Sequence, residues 1–144
     1  MHLTRFTDYS LRVLIFLAVS GDRLVTIQEI ARAYDISENH LMKVVHQLGR
    51  AGVVETVRGK GGGMRLGRPA ESIMLGEVVR QCEGPDDGAE CFQSDGACCI
   101  TSHCRLAPAL QSAFDAFYET LDRYSLADIV GSRKPLIRIL QIAA

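Results

Sequence analysis

The sequence predicts a mainly α chain with a small β wing: a winged helix-turn-helix domain over residues 1–70, then a loop and a long dimerisation helix over residues 71–144. Three observations predict it. Two capped apolar runs at helical spacing are separated by only a few residues. A β-branched run, Val53 to Val57, meets a glycine-rich turn and a short return. A second apolar seam then runs from Leu106 to Tyr124. With 144 residues, 47% of them hydrophobic, the chain can bury one substantial core, or a small domain whose extension needs a partner.

Leu11, Leu14, Ile15 and Ala18 follow the i, i+3, i+4, i+7 spacing of an amphipathic first helix. The apolar run Val13 to Val19 after Arg5 and Arg12 is far shorter than the roughly 20 residues of a membrane span, so it reads as part of the fold rather than as a targeting signal. A cytoplasmic protein is expected. Thr26 and Glu29 stand in capping-box spacing, and Ile27, Ile30, Ala31 and Tyr34 share one face of a short helix. Asp35 and Ile36 make the turn, and Ser37 caps the next helix. Leu41, Val44, Val45 and Leu48 line that helix until Gly52 stops it. Two short helices so joined form a helix-turn-helix.

Val53 to Val57 then fits a strand, Arg58 to Gly63 a turn, and Met64 to Leu66 the return strand of a wing. Pro69 and Ala70 end this unit. A helix is predicted over Leu75 to Cys82, burying Leu75, Val78, Val79 and Cys82. From Gly84 to His103 no period is visible, and so long a stretch in a compact domain needs an organiser other than a core. Leu106, Leu110, Phe114, Phe117, Leu121 and Tyr124 next recur at steps of four and three. A helix of about 19 residues there spans about 28 Å, more than this half needs for itself, so its seam is expected to pack on the same helix of a second subunit. Ser125 and Asp128 start another short helix, and Pro135 opens the last.

The net charge of −1 hides an asymmetry. Residues 1–70 hold ten Lys and Arg against six Asp and Glu, while residues 71–144 hold six against eleven. Nucleic acid would therefore meet the first half. In a helix-turn-helix the exposed N-terminal residues of the second helix reach base edges; here these are Ser37, Glu38, Asn39, His40 and Lys43. Asn pairs with adenine and Lys with guanine or phosphate, which makes Asn39 and Lys43 the readers. Arg58, Lys60 and Arg65 surround the wing tip and suit phosphate or minor-groove contact. Lys60 is followed by Gly, so the run is not a nucleotide-binding P-loop. With no nucleophile and base pair, no carboxylate pair and no dinucleotide fingerprint, an enzyme is not expected.

Four of the five cysteines lie between Cys91 and Cys104. An odd count with no export signal argues against a disulfide framework and for metal or redox chemistry. Thiolates at 91, 98 and 104 can converge on one inorganic centre, since thiolate is the soft ligand that iron-sulfur clusters and zinc select. Structural zinc held by Cys91, Cys98 or Cys99, Cys104 and His103 is the alternative. Cys104 opens the long helix, whose positive end, with Arg105, stabilises an anionic cluster. Cys82 reads as a small buried hydrophobe.

The segments MHLTRFTDYSLRVL, SENHLMKVVHQLGRAGVVETVRGKGGGMRLGRPA and CCITSHCRLAPAL together resemble the dimeric winged-helix iron-sulfur regulators, the family that includes NsrR, IscR and RirA. The similarity runs from Met1 to about Ile139. It implies a 2Fe-2S or 4Fe-4S cluster held by Cys91, Cys98 and Cys104, the spacing of NsrR-like members selecting Cys98 over its neighbour Cys99. IscR-like members place a His three residues after the last cysteine, where this chain has Ala107. NsrR-like members carry a first-helix Asp contributed from the other subunit, matched here by Asp8, where RirA-like members tend to have Asn. Asp8 tips the resemblance toward a repressor of nitric-oxide detoxification genes, bound as a homodimer to an imperfect palindrome and released when nitric oxide attacks the cluster. The alternative within the family is an iron-responsive repressor. Asp8 has a plainer role open to it as well, as an acidic first-turn residue that complements the helix dipole.

Overall fold

The structure is a computed structural model that describes residues 2–84 and 98–142. Helix α1, Arg5–Ser20, begins at Thr4, whose side chain accepts the amide of Thr7. Its period-based face was the visible part of its burial. Phe16, Leu17, Ala18 and Val19 are all buried in succession, which a helix resting on one neighbour cannot achieve. The reason is that α1 is central. Helix α3, Glu38–Arg50, and four further elements described below all pack on it.

Helix α2, Ile27–Tyr34, has the predicted capping box, with Thr26 and Glu29 each satisfying the other's backbone amide. Asp35 takes a left-handed conformation at its end (φ 53°), a turn that Asp tolerates better than most residues. Helix α3 follows and buries Leu41, Val44, Val45 and Leu48 as the spacing requires.

Strands β1, Val54–Val57, and β2, Gly63–Leu66, pair antiparallel, with Val54 opposite Leu66 and Glu55 opposite Arg65. Each is one residue off the predicted span. Val25 adds a bridge that the sequence did not announce: its amide reaches the Met64 carbonyl at 2.9 Å, and the Met64 amide returns the bond at 2.8 Å. The glycine run has steric causes. Gly59 and Gly61 have φ of +101° and +79°, a region L-residues avoid. A Cβ on Gly62 would collide with the Val57 carbonyl, and one on Gly63 would lie 2.8 Å from the Val25 oxygen.

Helix α4, Leu75–Glu83, runs one residue past the expected end and buries Leu75, Gly76, Val78 and Val79. Helix α5, Leu106–Leu121, has 16 residues and is shorter than the seam suggested. Beyond it the Leu75 amide bonds the Tyr124 carbonyl at 3.0 Å and Met74 bridges Ser125, which turns the chain back toward α4. Helix α6, Leu126–Val130, has the Ser125 and Asp128 capping box. Helix α7 is Arg133–Ile139 and starts two residues before Pro135, which the first turn accommodates because no intrahelical amide bond is due there. Short 3-10 turns at Ala70–Ser72 and Thr101–His103 were not anticipated.

One apolar core runs across residue 70. Ile73, Val78, Leu126, Val130, Leu140 and Ile142 join the side chains of α1 to α3 in a single cluster, and α4, α6, α7 and β2 all touch α1. No described helix is long and apolar enough to cross a membrane.

Gly63→Ala is expected to destabilise the protein by about 1–3 kcal/mol, the usual cost of forcing extra volume into a close contact. Thermal unfolding should show a Tm lower by several degrees, with Lys60→Ala, at the exposed tip, as an unchanged control.

Candidate nucleic-acid interface and cysteine site

The candidate recognition surface is the exposed face of α3 together with the wing. Ser37 sets the helix start: its hydroxyl oxygen accepts the His40 amide at 3.4 Å and lies 2.9 Å from His40 Nδ1. The hydroxyl is thus engaged in capping before any base is met. Glu38, Asn39 and His40 are exposed in the first turn of α3, where backbone amides and the dipole favour phosphate, and Lys43 is exposed in the next turn. Gln28 of α2 donates to Glu38 at 3.3 Å. The His40 ring also faces Tyr9 of α1, 6.1 Å between centroids. Met42, His46, Gln47 and Arg50 are exposed on the same helix, and the sequence reading had passed over them.

On the wing, Arg65 Nε bonds Glu55 Oε2 at 2.9 Å across the β1–β2 register. The hydrogen bond to Glu55, and after it the Coulomb attraction between the two groups, raises the Arg65 guanidinium further above its ordinary value. Its geometry also leaves less of that guanidinium for a phosphate. Among the described residues Arg58 and Lys60 enter no ion pair, and both are exposed.

Of the predicted cluster ligands, Cys91 lies outside the described residues. Cys98 and Cys104 are half-buried and Cys99 is exposed. They bracket the 3-10 turn that leads into α5. Asp8 is in the first two turns of α1, where Arg12 holds it with Nη2 to Oδ2 at 2.8 Å and Nε to Oδ1 at 3.1 Å. The Arg12 guanidinium in turn lies 5.7 Å from the centre of the Tyr34 ring of α2. Among the described residues no three His, Cys, Asp or Glu side chains gather as a metal site. His103 bonds Ser102 at 2.9 Å. Cys82, expected to be buried, is half-buried and packs against the edge of the core; this burial still pushes its thiol above the usual range even though Ser10 bonds it.

Glu83 is the residue the sequence reading missed here. Burial would raise its carboxyl, but the Thr7 hydroxyl and the Thr4 amide and hydroxyl outweigh burial and hold it below the usual carboxylate range. The signal was available: a carboxylate in the last turn of a helix opposes that helix's dipole, so it asks for an outside partner.

Helix α5 shows little burial. Leu106 is 62% exposed, and of its residues only Tyr118 is buried.

Residues 3–132 match the model of a family described as Rrf2, iron-dependent transcriptional regulator. The chain is 47% identical over 142 residues to the HTH-type transcriptional regulator NsrR of Bacillus licheniformis, covering 97% of this chain and 99% of that one. It is 46% identical over 144 residues to the NsrR of Bacillus subtilis, covering 99% of each. Among solved structures, CymR of Staphylococcus aureus in its oxidized form superposes with a TM-score of 0.72 at 28% identity, covering 92% of this chain and 98% of that one. IscR of T. potens shares the fold, with a TM-score of 0.73 at 24% identity over 100% of this chain and 93% of that one. These relatives are transcription regulators, not enzymes.

Ser37→Ala is expected to lower stability by about 1 kcal/mol through loss of the cap, while Asn39→Ala should change it by less than about 0.5 kcal/mol. Thermal unfolding of both variants separates the capping residue from an exposed neighbour that carries no packing.

Proposed function

This chain belongs to the Rrf2 family of iron-dependent transcriptional regulators, and from that premise we propose that it is a cytoplasmic, dimeric DNA-binding repressor that senses nitric oxide through an iron-sulfur cluster. The near-full-length likeness to two regulators named NsrR carries this reading. Residues 1–70 would read DNA, and residues 71–144 would hold the sensor and the dimer contact.

The donor set fits such a group. Cys98 and Cys104 are sheltered from bulk water without being locked in the core, and with Cys91 they make three soft donors. Among the described residues Asp8 has Arg12, and no thiol, as its partner, which suits a carboxylate ligand given to the cluster of a second copy. Cys91, Cys98 and Cys104 of one subunit and Asp8 of the other would then hold the cluster. When bound, the cluster supplies an iron centre that reacts with nitric oxide.

The chain's own residues supply the readout. To reach a ligand position Asp8 must leave Arg12, whose remaining contact is the Tyr34 ring of α2. Asp8 precedes Tyr9, whose ring meets His40 on α3, so the exchange acts on the helix pair that meets DNA. The exposed side of α5 supports a homodimer, since this 16-residue helix buries only Tyr118 although it packs against α4. Two copies of α3 would then dock in successive major grooves of an imperfect palindrome, about 34–36 Å apart. A small change in that spacing costs much of the affinity. The second reading, an iron-responsive repressor using the same ligands, is favoured by the family's iron-dependent description.

Arg58→Ala and Lys60→Ala are expected to weaken binding to all duplexes alike and to lower the salt slope by about 1 each, whereas Asn39→Ala should cost about 1–3 kcal/mol at one base position. Titrations over a range of salt check both.

The decisive experiment follows visible absorption of protein purified without oxygen, before and after stoichiometric nitric oxide, with DNA binding in parallel. A brown protein whose bands bleach as DNA is released is the expected result. A brown protein indifferent to nitric oxide but released by iron chelation would establish the iron-responsive reading. A colourless, zinc-containing protein would sink both.

A further inference from the structure

The last turn of α4 consists of four consecutive residues that between them hold three other helices. Arg80 grips the end of α5, with Nη1 and Nη2 on the two oxygens of Asp122 at 2.8 and 2.6 Å and its guanidinium 4.6 Å from the centre of the Tyr118 ring. The Gln81 carbonyl, one of the four a helix end leaves without an internal partner, accepts Gln47 Nε2 of α3 at 3.0 Å. Cys82 meets Ser10 of α1. Glu83 Oε1 accepts the Thr4 amide at 2.8 Å, the Thr4 hydroxyl at 3.2 Å and the Thr7 hydroxyl at 2.5 Å, so it closes the positive end of α1. Thr7 and Ser10, two of the three buried polar residues among those described, both face this turn.

We infer that Arg80–Glu83 is the junction through which, within one subunit, the cysteine-bearing part of the chain acts on α1 and on the recognition helix α3, with Glu83, Gln47 and Asp122 as positioning residues. The inference rests on the cluster-sensor reading above and deepens it. In sequence the turn leads toward Cys91, and the helix gripped by Arg80 is the one that Cys104 precedes. Gly76 makes the grip possible, because a Cβ there would collide with the Asp122 carboxylate. Charge-assisted hydrogen bonds are short and directional. Displacing α4 by about an ångström breaks them, so α1 and α3 must follow the turn or lose their contacts with it. A packed junction of this kind has discrete arrangements rather than a continuous give. Coupling by Asp8 runs between subunits; this route runs within one.

The test uses the full chain, purified without oxygen, and a duplex selected from random sequences by the cluster-loaded wild-type protein. Affinity is measured with the cluster loaded and after its removal, and the ratio of the two is the readout, which a loss of stability alone does not move. Glu83→Ala should keep the visible spectrum per iron while the ratio falls at least tenfold. Glu83→Gln, which retains an acceptor oxygen for Thr4 and Thr7, should restore most of it. Asp122→Asn, a milder cut on the α5 side, should also lower the ratio and stands in if Glu83→Ala does not fold. Wild-type ratios in Glu83→Ala or, failing that variant, in Asp122→Asn would overturn the junction and leave the sensor reading standing. A wild-type protein whose affinity does not depend on the cluster would overturn both.

Discussion

Helix α1 has neighbours on nearly every side, and that constraint organises the chain. Val13, Leu14 and Leu17 are fully buried and Phe16, Ala18 and Val19 nearly so, and each contact is supplied by a different part of the sequence. The recognition helix, the wing strand β2, α4, α6 and α7 all rest on it. Truncating Leu14 or Phe16 would cost about 2–5 kcal/mol by the usual measure of core deletions, a large share of a typical domain's stability. A helix so enclosed cannot tilt or slide without moving its neighbours, because packed interiors have little free volume. Under the proposed function, this is how sensing and DNA reading would be mechanically joined although their side chains are separated in sequence.

The same constraint decides what the sequence reveals. Elements with one buried face were legible: α2 and α3 show clean 3,4,7 spacing, and Thr26, Ser37 and Ser125 are all caps in the structure. Helix α1 was found but its burial was underestimated, because residues 16–19 are contiguous and an amphipathic pattern scores only one stripe. The Val25–Met64 bridge was illegible because a single residue has no period. The end of α5 was misplaced by three residues because Tyr124 fits the apolar rhythm while its carbonyl is bound to Leu75. Pro135 is an honest start signal that acts two residues late, since any position of a first turn tolerates it.

For the candidate site the division is sharper. Candidate soft ligands stand out by residue type and spacing, and exposed polar residues at the start of a candidate recognition helix follow from the cap. What spacing could not supply is the pairing of side chains from different elements: Arg65 with Glu55 across the wing, and Glu83 with Thr4 and Thr7. Only Glu83 carried a local anomaly, a negative charge at the wrong end of a helix dipole.

The charge asymmetry between halves acquires a structural sense from these pairings. The second half is acidic overall, yet two of its carboxylates bind groups of the first half: Glu83 closes α1, and Glu77 holds Arg68 at 2.7 Å beside the wing. Both lie on α4. The bridging helix therefore carries negative charge toward the body of the molecule, while Arg58, Lys60 and Lys43 are exposed on the surface proposed to meet phosphate. A basic residue at 77 or 83 would leave Arg68 or the start of α1 opposed by like charge. Part of the acidity of the second half is thus fixed by contact with the first, independent of any need to repel DNA, and net charge by itself could not have distinguished the two.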